Sequence, residues 1–157
     1  MEGTVAKKGL TPADLEELEG SMLQLPQVSI PVIHHFGPGV YMREIIMPPG
    51  IWAMGHSHTE DCLNIVLTGR ASLAVDGEIQ ELKAPAIFLS KARDRKLGYI
   101  HEELRHITIH PNPDNQTNPD DIEDRIIEKT DTHQAWTKLY GDAQKALQSS
   151  NIMGLEI

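Results

Sequence analysis

Between Val28 and His110, short β-prone segments recur at intervals of about ten residues, each closed by a turn signal. This rhythm restricts the chain to an antiparallel sandwich or a small barrel. Val28, Ile30 and Val32 open the series, broken by Pro31. Residues 40–47 follow the turn cluster Phe36-Gly37-Pro38-Gly39, and Pro48-Pro49-Gly50 makes the next turn. Residues 63–67 form an apolar strand ended by Thr68-Gly69, and residues 70–75 alternate, with Ala71, Leu73 and Val75 on one side. Asp76-Gly77 is a two-residue hairpin signal. Ile79 and Leu82 belong to the return strand, and Pro85 separates it from residues 86–89. Residues 97–100 and 104–110 complete the set, with His106, Thr108 and His110 on one face and Ile107 and Ile109 on the other.

Helical signals flank this region. Thr11-Pro12-Ala13-Asp14 is a helix start, with Thr11 as cap and Pro12 at the first helical position. Leu15, Leu18, Met22 and Leu23 then recur at helical spacing as far as Leu25, and Pro26 ends the helix. Asn118-Pro119-Asp120-Asp121 begins a second helix with Ile122, Ile126 and Ile127 as its apolar side. A third is predicted over residues 132–148, where Ala135, Trp136, Leu139, Tyr140, Ala143, Ala146 and Leu147 trace an apolar stripe. The stripe needs a partner, either the barrel's own outside or a second copy, so a homo-oligomer is expected. The chain divides into residues 1–27 (leader and helix), 28–111 (barrel) and 112–157 (helical extension), all in one domain.

Composition narrows the partners. Net charge is −9, which repels phosphates and argues against nucleic acid or an anionic membrane. Aromatic residues make up only 4%, so aliphatic side chains must fill the core. One cysteine excludes an internal disulfide and suits a reducing compartment. No signal peptide or membrane-length apolar run is visible, and a cytoplasmic protein is expected.

The chemistry concentrates near His56 and His58. Two apart in a strand-like environment, these imidazoles would share a face and point into one cavity, at the spacing a metal ion needs. Cys62 follows at an even offset and reaches the same cavity if the intervening turn keeps parity. Imidazole and thiolate suit zinc, with iron or nickel as alternatives, and leave a position for water or a small-molecule ligand. Glu60, Asp61, Glu44 and Tyr41 are candidate bases, and Asn64 completes the pocket set. In the bland alternative, the histidines are hydrogen-bonded and Cys62 is an ordinary buried residue. His34 and His35, adjacent on a strand, cannot both face inward, and hydrogen-bonded roles are expected for them. Lys91, Arg93, Arg95 and Lys96 form the one basic cluster, read as a solvated loop or an anion site. There is no nucleotide-binding glycine loop and no nucleophile elbow.

The run Gly50, five residues, His56-Ser57-His58, three residues, Cys62, six residues, Gly69 resembles the first motif of the cupins. That resemblance implies a jelly-roll barrel with a divalent metal held by two histidines, a carboxylate and a histidine from a second motif. Cys62 stands where the family usually has glutamate. The second-motif region, residues 89–96, holds neither a histidine nor Pro-x-Gly, leaving His101, His106 and His110 as the nearest further ligands. From Leu25 to Pro111 the chain also resembles small cupins of bacteriophages and prophages. The likeness is carried by Leu25-Pro26-Gln27-Val28, Pro31-Val32, His34-His35-Phe36-Gly37-Pro38-Gly39-Val40-Tyr41, Arg43-Glu44, Gly55-His56 with His58, Leu63-Asn64-Ile65 and Gly98-Tyr99. The expected function is a phage-type cupin with a partial metal or small-ligand pocket, serving as an accessory, binding or virion-associated component. The alternative is a metal-dependent enzyme acting on a small molecule, such as a dioxygenase or isomerase.

Overall fold

The computed structural model describes residues 10–75 and 78–138 of the 157-residue chain. Helix α1 (Pro12–Met22) leads into seven strands: β1 (Val32–Gly37), β2 (Gly39–Met47), β3 (Trp52–Met54), β4 (Cys62–Val75), β5 (Glu78–Lys83), β6 (Ala86–Ser90) and β7 (Leu97–Asn112). Helices α2 (Pro119–Ile126) and α3 (Asp131–Trp136) follow. Among the described residues the protein is mainly β: an antiparallel jelly-roll barrel, as the strand rhythm predicts, with one helix before it and two after.

Two long strands form the spine. β7 pairs with β2 and β3 along one edge and with β4 along the other, while β4 also carries β5 and β6. Each spine strand was expected as two short ones. Instead β4 runs on through Thr68-Gly69 by bulging, with register shifts against β7 between Val66 and Ala71. Gly69 makes this possible. Its φ is +95°, and a Cβ there would lie 2.2 Å from the carbonyl oxygen of Glu103, so backbone occupies the space a side chain would need. The first strand also starts later than expected, at Val32, because Pro31 cannot donate to a ladder. Asp76-Gly77 lies outside the described residues, although the flanking register sets Val75 opposite Glu78.

The caps form as the sequence predicts. The Thr11 side chain accepts from the Asp14 amide at 3.2 Å while Asp14 accepts from the Thr11 amide at 2.7 Å. Asn118 accepts from the Asp120 amide at 3.1 Å, starting α2, whose Ile122 and Ile126 pack with Ile127 against Tyr41. Met22 ends α1 three residues earlier than expected. Of the third predicted helix, residues 131–136 are helical; the stripe from Leu139 to Leu147 lies outside the described residues. Met47, Val66, Ala71, Ile100 and Leu104 make the aliphatic core at the opposite end of the barrel from Tyr41.

Candidate functional site

A cavity of ≈ 930 Å³ occupies the barrel, within the range that small-molecule sites span. It is graded from end to end. The inward face of β2 reads Tyr41, Arg43, Ile45, Met47, and that of β7 reads His110, Thr108, His106, Leu104. β4 continues the pattern with Cys62, Asn64 and Val66. Polar groups therefore gather at one end and aliphatic ones at the other, where Leu73, Leu82 and Ile100 also border the space. Leu18, Glu19 and Met22 of α1, with the extended stretch around Val28, close the mouth. The helix is latched there. Glu19 pairs with Arg95 at 2.7 Å and accepts from the Thr132 hydroxyl on α3.

His56 and His58 reach the cavity by a different route from the one expected. β3 ends at Met54, so they sit in a loop rather than on a strand. Backbone bonds clamp that loop from both sides. The amides of Gly55 and Glu128 donate to Lys96 and Ser57 at 2.9 and 2.8 Å, and the amides of Arg93 and Thr59 donate to His58 and Ile126 at 2.8 and 2.9 Å. Both imidazoles border the cavity, but they turn to different neighbours. The His56 ring stands 5.3 Å from that of His133 on α3, and the His58 ring 5.0 Å from that of His110. Cys62 is buried with its Sγ 3.8 Å from His58 Nδ1. Among the described residues, no three His, Cys, Asp or Glu side chains converge as a metal-ligand group.

The other expected site residues scatter. His106 borders the cavity and donates from Nε2 to Asn64 Oδ1 at 2.9 Å. Asn64 in turn donates to Ser90 Oγ at 3.0 Å. His110 is fully buried, and neither ring nitrogen has a hydrogen-bond partner. His101 lies 2.7 Å from Ser72 Oγ and packs on Tyr99, away from the cavity. Tyr41 is buried behind the polar end, its hydroxyl 2.8 Å from His34 Nδ1. Glu44 belongs to the opposite face of β2, where it bonds Arg105 and, at 2.7 Å, His35; parity alone separates it from Arg43. Glu60 and Asp61 stay at the rim, paired with Arg125 at 3.4 Å and Lys91 at 3.0 Å. The basic cluster has acidic partners throughout, since Arg93 lies 4.0 Å from Glu128 and Lys96 2.5 Å from Asp94. That leaves the loop poorly suited to hold an outside anion.

Arg43 and His133 were not anticipated. Arg43 sits across from His34 on β1 and Thr108 on β7, at the junction of the polar and aliphatic ends. Its side chain is 17% exposed, with Nε 3.5 Å from Glu123 Oε1. That contact has ion-pair distance without hydrogen-bond geometry, so Nε–H is buried and unpartnered. Inward parity with Tyr41 and Ile45 was the available signal for Arg43; nothing in the sequence ties His133 to the barrel.

Burial, and secondarily the Arg43 charge, hold His56 well below the usual imidazole range and bring His58 and His106 to about 4. Burial, followed by His58 and Arg43, brings His110 to about 3. Burial pushes the Cys62 thiol up. The polar end at neutral pH is thus made of neutral imidazoles, a thiol and one guanidinium.

No family model and no curated protein matches the chain. Among solved structures, it is similar to a cupin superfamily protein from Desulfitobacterium hafniense at 13% identity, over 55% of this chain and 83% of that one, with a TM-score of 0.42. A cupin-2 domain protein from Shewanella frigidimarina shares 16% identity over 60% of this chain and 92% of that one, with a TM-score of 0.42. KdgF from a Halomonas species shares 15% identity over 57% of this chain and 84% of that one, with a TM-score of 0.46. At these scores the likenesses carry no argument about what the chain does.

Proposed function

We propose that this chain is a cupin-type barrel that binds a small molecule in its interior without turning it over. The observation that carries this reading is the graded cavity of ≈ 930 Å³, with aliphatic walls to take an apolar body and a cluster of donors to orient it. The neutral histidines favour binding over catalysis. A general base needs a pKa near the working pH, and these groups lie far below it. The test is titration of the full chain with 1-anilinonaphthalene-8-sulfonate. Saturable one-to-one binding is expected, weakened in Leu73→Trp, whose larger indole would crowd the aliphatic end of the cavity. Binding that never saturates, or that survives this variant intact, would refute the reading.

One observation favours a metal centre as a second reading. His110 buries two unpartnered ring nitrogens beside His58, and buried polar atoms without partners are rare. Zinc, iron or nickel would take His58 and His110 with Cys62 as thiolate. As placed, these side chains do not form a three-ligand group, and the raised thiol works against it. Elemental analysis decides. Stoichiometric metal, lost on changing His58 and His110 to alanine, would favour the enzyme reading.

A phage accessory or virion-associated role is the narrower form of the binding reading, supported by the residue likeness over 25–111. Its partner would be a second copy. The outer face of β6, β4 and β7 supports this, because Leu63, Ile65, Ile87, Leu89, Ile107 and Ile109 lie side by side there. Ile87 is 75% exposed and Leu89 51%, and contiguous apolar patches of this kind mark interaction surfaces.

A further inference from the structure

We propose that the ligand is an amphipathic carboxylate, its chain in the aliphatic end of the barrel and its head on the Arg43 guanidinium. This rests on the small-molecule reading above and adds the class of ligand.

The charges bordering the cavity single out Arg43. Glu19 is spent on Arg95 at 2.7 Å, and Asp94 and Lys96 pair with each other at 2.5 Å. These contacts cancel in place. Arg43 has Glu123 at 3.5 Å in a geometry that leaves Nε–H unbonded. A guanidinium presents donors in a planar fork that a carboxylate matches with two parallel bonds. Nε itself is buried beyond a ligand's reach, but Arg43 borders the cavity, and a carboxylate that meets its outer nitrogens there gains more than a head that does not.

Position fixes the rest of the class. Arg43 precedes Ile45 and Met47 on the same inward face of β2. On β7 its register partner Thr108 leads through His106 to Leu104 and Ile100. A head held at Arg43 therefore points its substituent along aliphatic walls. Thr108, neutral and beside the head, adds a hydroxyl without further charge; the Asn64 amide is already taken up by His106, Cys62 and Ser90. A cationic or neutral head would leave the guanidinium repelled or unmet. A short polar acid would leave the aliphatic end unfilled.

The test is calorimetric titration of the full chain near neutral pH with decanoate, 1-decanol and decyltrimethylammonium, each below its micelle concentration. Decanoate is expected to bind about tenfold or more tightly than decanol, and the ammonium weakest. Arg43→Gln is expected to bring decanoate down to the level of decanol. Equal binding of the three heads by the unaltered chain would overturn the carboxylate assignment while leaving the pocket standing, and that comparison needs no variant to fold. A decanoate preference that persists in Arg43→Gln would overturn the role of Arg43. Binding of none of the three would overturn the pocket and the assignment together.

Discussion

Burial holds His106 at about 4 and His110 at about 3, against 6.5 for a free imidazole. The sign of the consequence follows from proton counting. Between these values the unfolded chain binds protons that the folded chain refuses, so acid favours unfolding. Stability is complete above about pH 6.5 and is lost as pH falls toward about 4. The unfolding temperature is expected to drop between pH 7 and pH 5, by less in His106→Gln; a flat profile would mean that these rings are solvated. Glu44 acts on the outer face and only on stability. Its carboxylate is buried between Arg105 and His35, whose hydrogen bonds overcome the opposing effect of burial and hold it below its usual range. Glu44→Ala is expected to cost about 1–3 kcal/mol in urea unfolding while leaving ligand affinity unaltered. Nearness in sequence groups Glu44 with the histidines; the alternation of β2, with Tyr41 and Ile45 facing in, is what puts it outside the barrel and Arg43 inside.

The elements were legible where a local rule governs them. Thr11 and Asn118 cap helices because each side chain satisfies an amide within its own turn. The turn at Pro38-Gly39 joins β1 to β2 because Gly39 takes φ +71°. What local rules do not show is where a strand survives an irregularity. Gly69 reads as a terminator, yet β4 passes through it because the carbonyl of Glu103 on β7 fills its side-chain space. Gly69→Ala is expected to cost at least about 2 kcal/mol; a loss below half of that would mean that the bulge relaxes freely. The histidine loop was missed for the same reason, since its clamps come from residues 91–96 and 126–128, remote in sequence. α1 buries no residue of its own, so its place over the cavity depends on Glu19, Arg95 and Thr132. Glu19→Ala is expected to speed amide exchange across residues 12–22 and to shorten ligand residence, while exchange within β4 and β7 stays slow.

At the scale of the whole molecule, two apolar surfaces compete for any amphipathic partner: the graded interior and the outer face of β6, β4 and β7. They imply different outcomes. The outer face is expected to hold two copies together, so that Ile87→Glu lowers the mass seen by light scattering and leaves the β signal in circular dichroism intact. An unchanged mass would show that this face is bare in solution. No helix among the described residues is long and apolar enough to cross a membrane. The barrel itself was readable because alternating aliphatics and turn residues specify a closed sheet. The grading of its interior was not, because it emerges only when β2, β4 and β7 are set in register. The most direct measurement is therefore a methyl NMR titration of the full chain with decanoate. Shifts are expected at Ile45, Leu73, Leu82, Ile100 and Leu104, which border the cavity. Shifts confined to Ile79, Ile87 and Leu89, which face outward, would place the ligand on the surface and contradict the proposal that this barrel is a container.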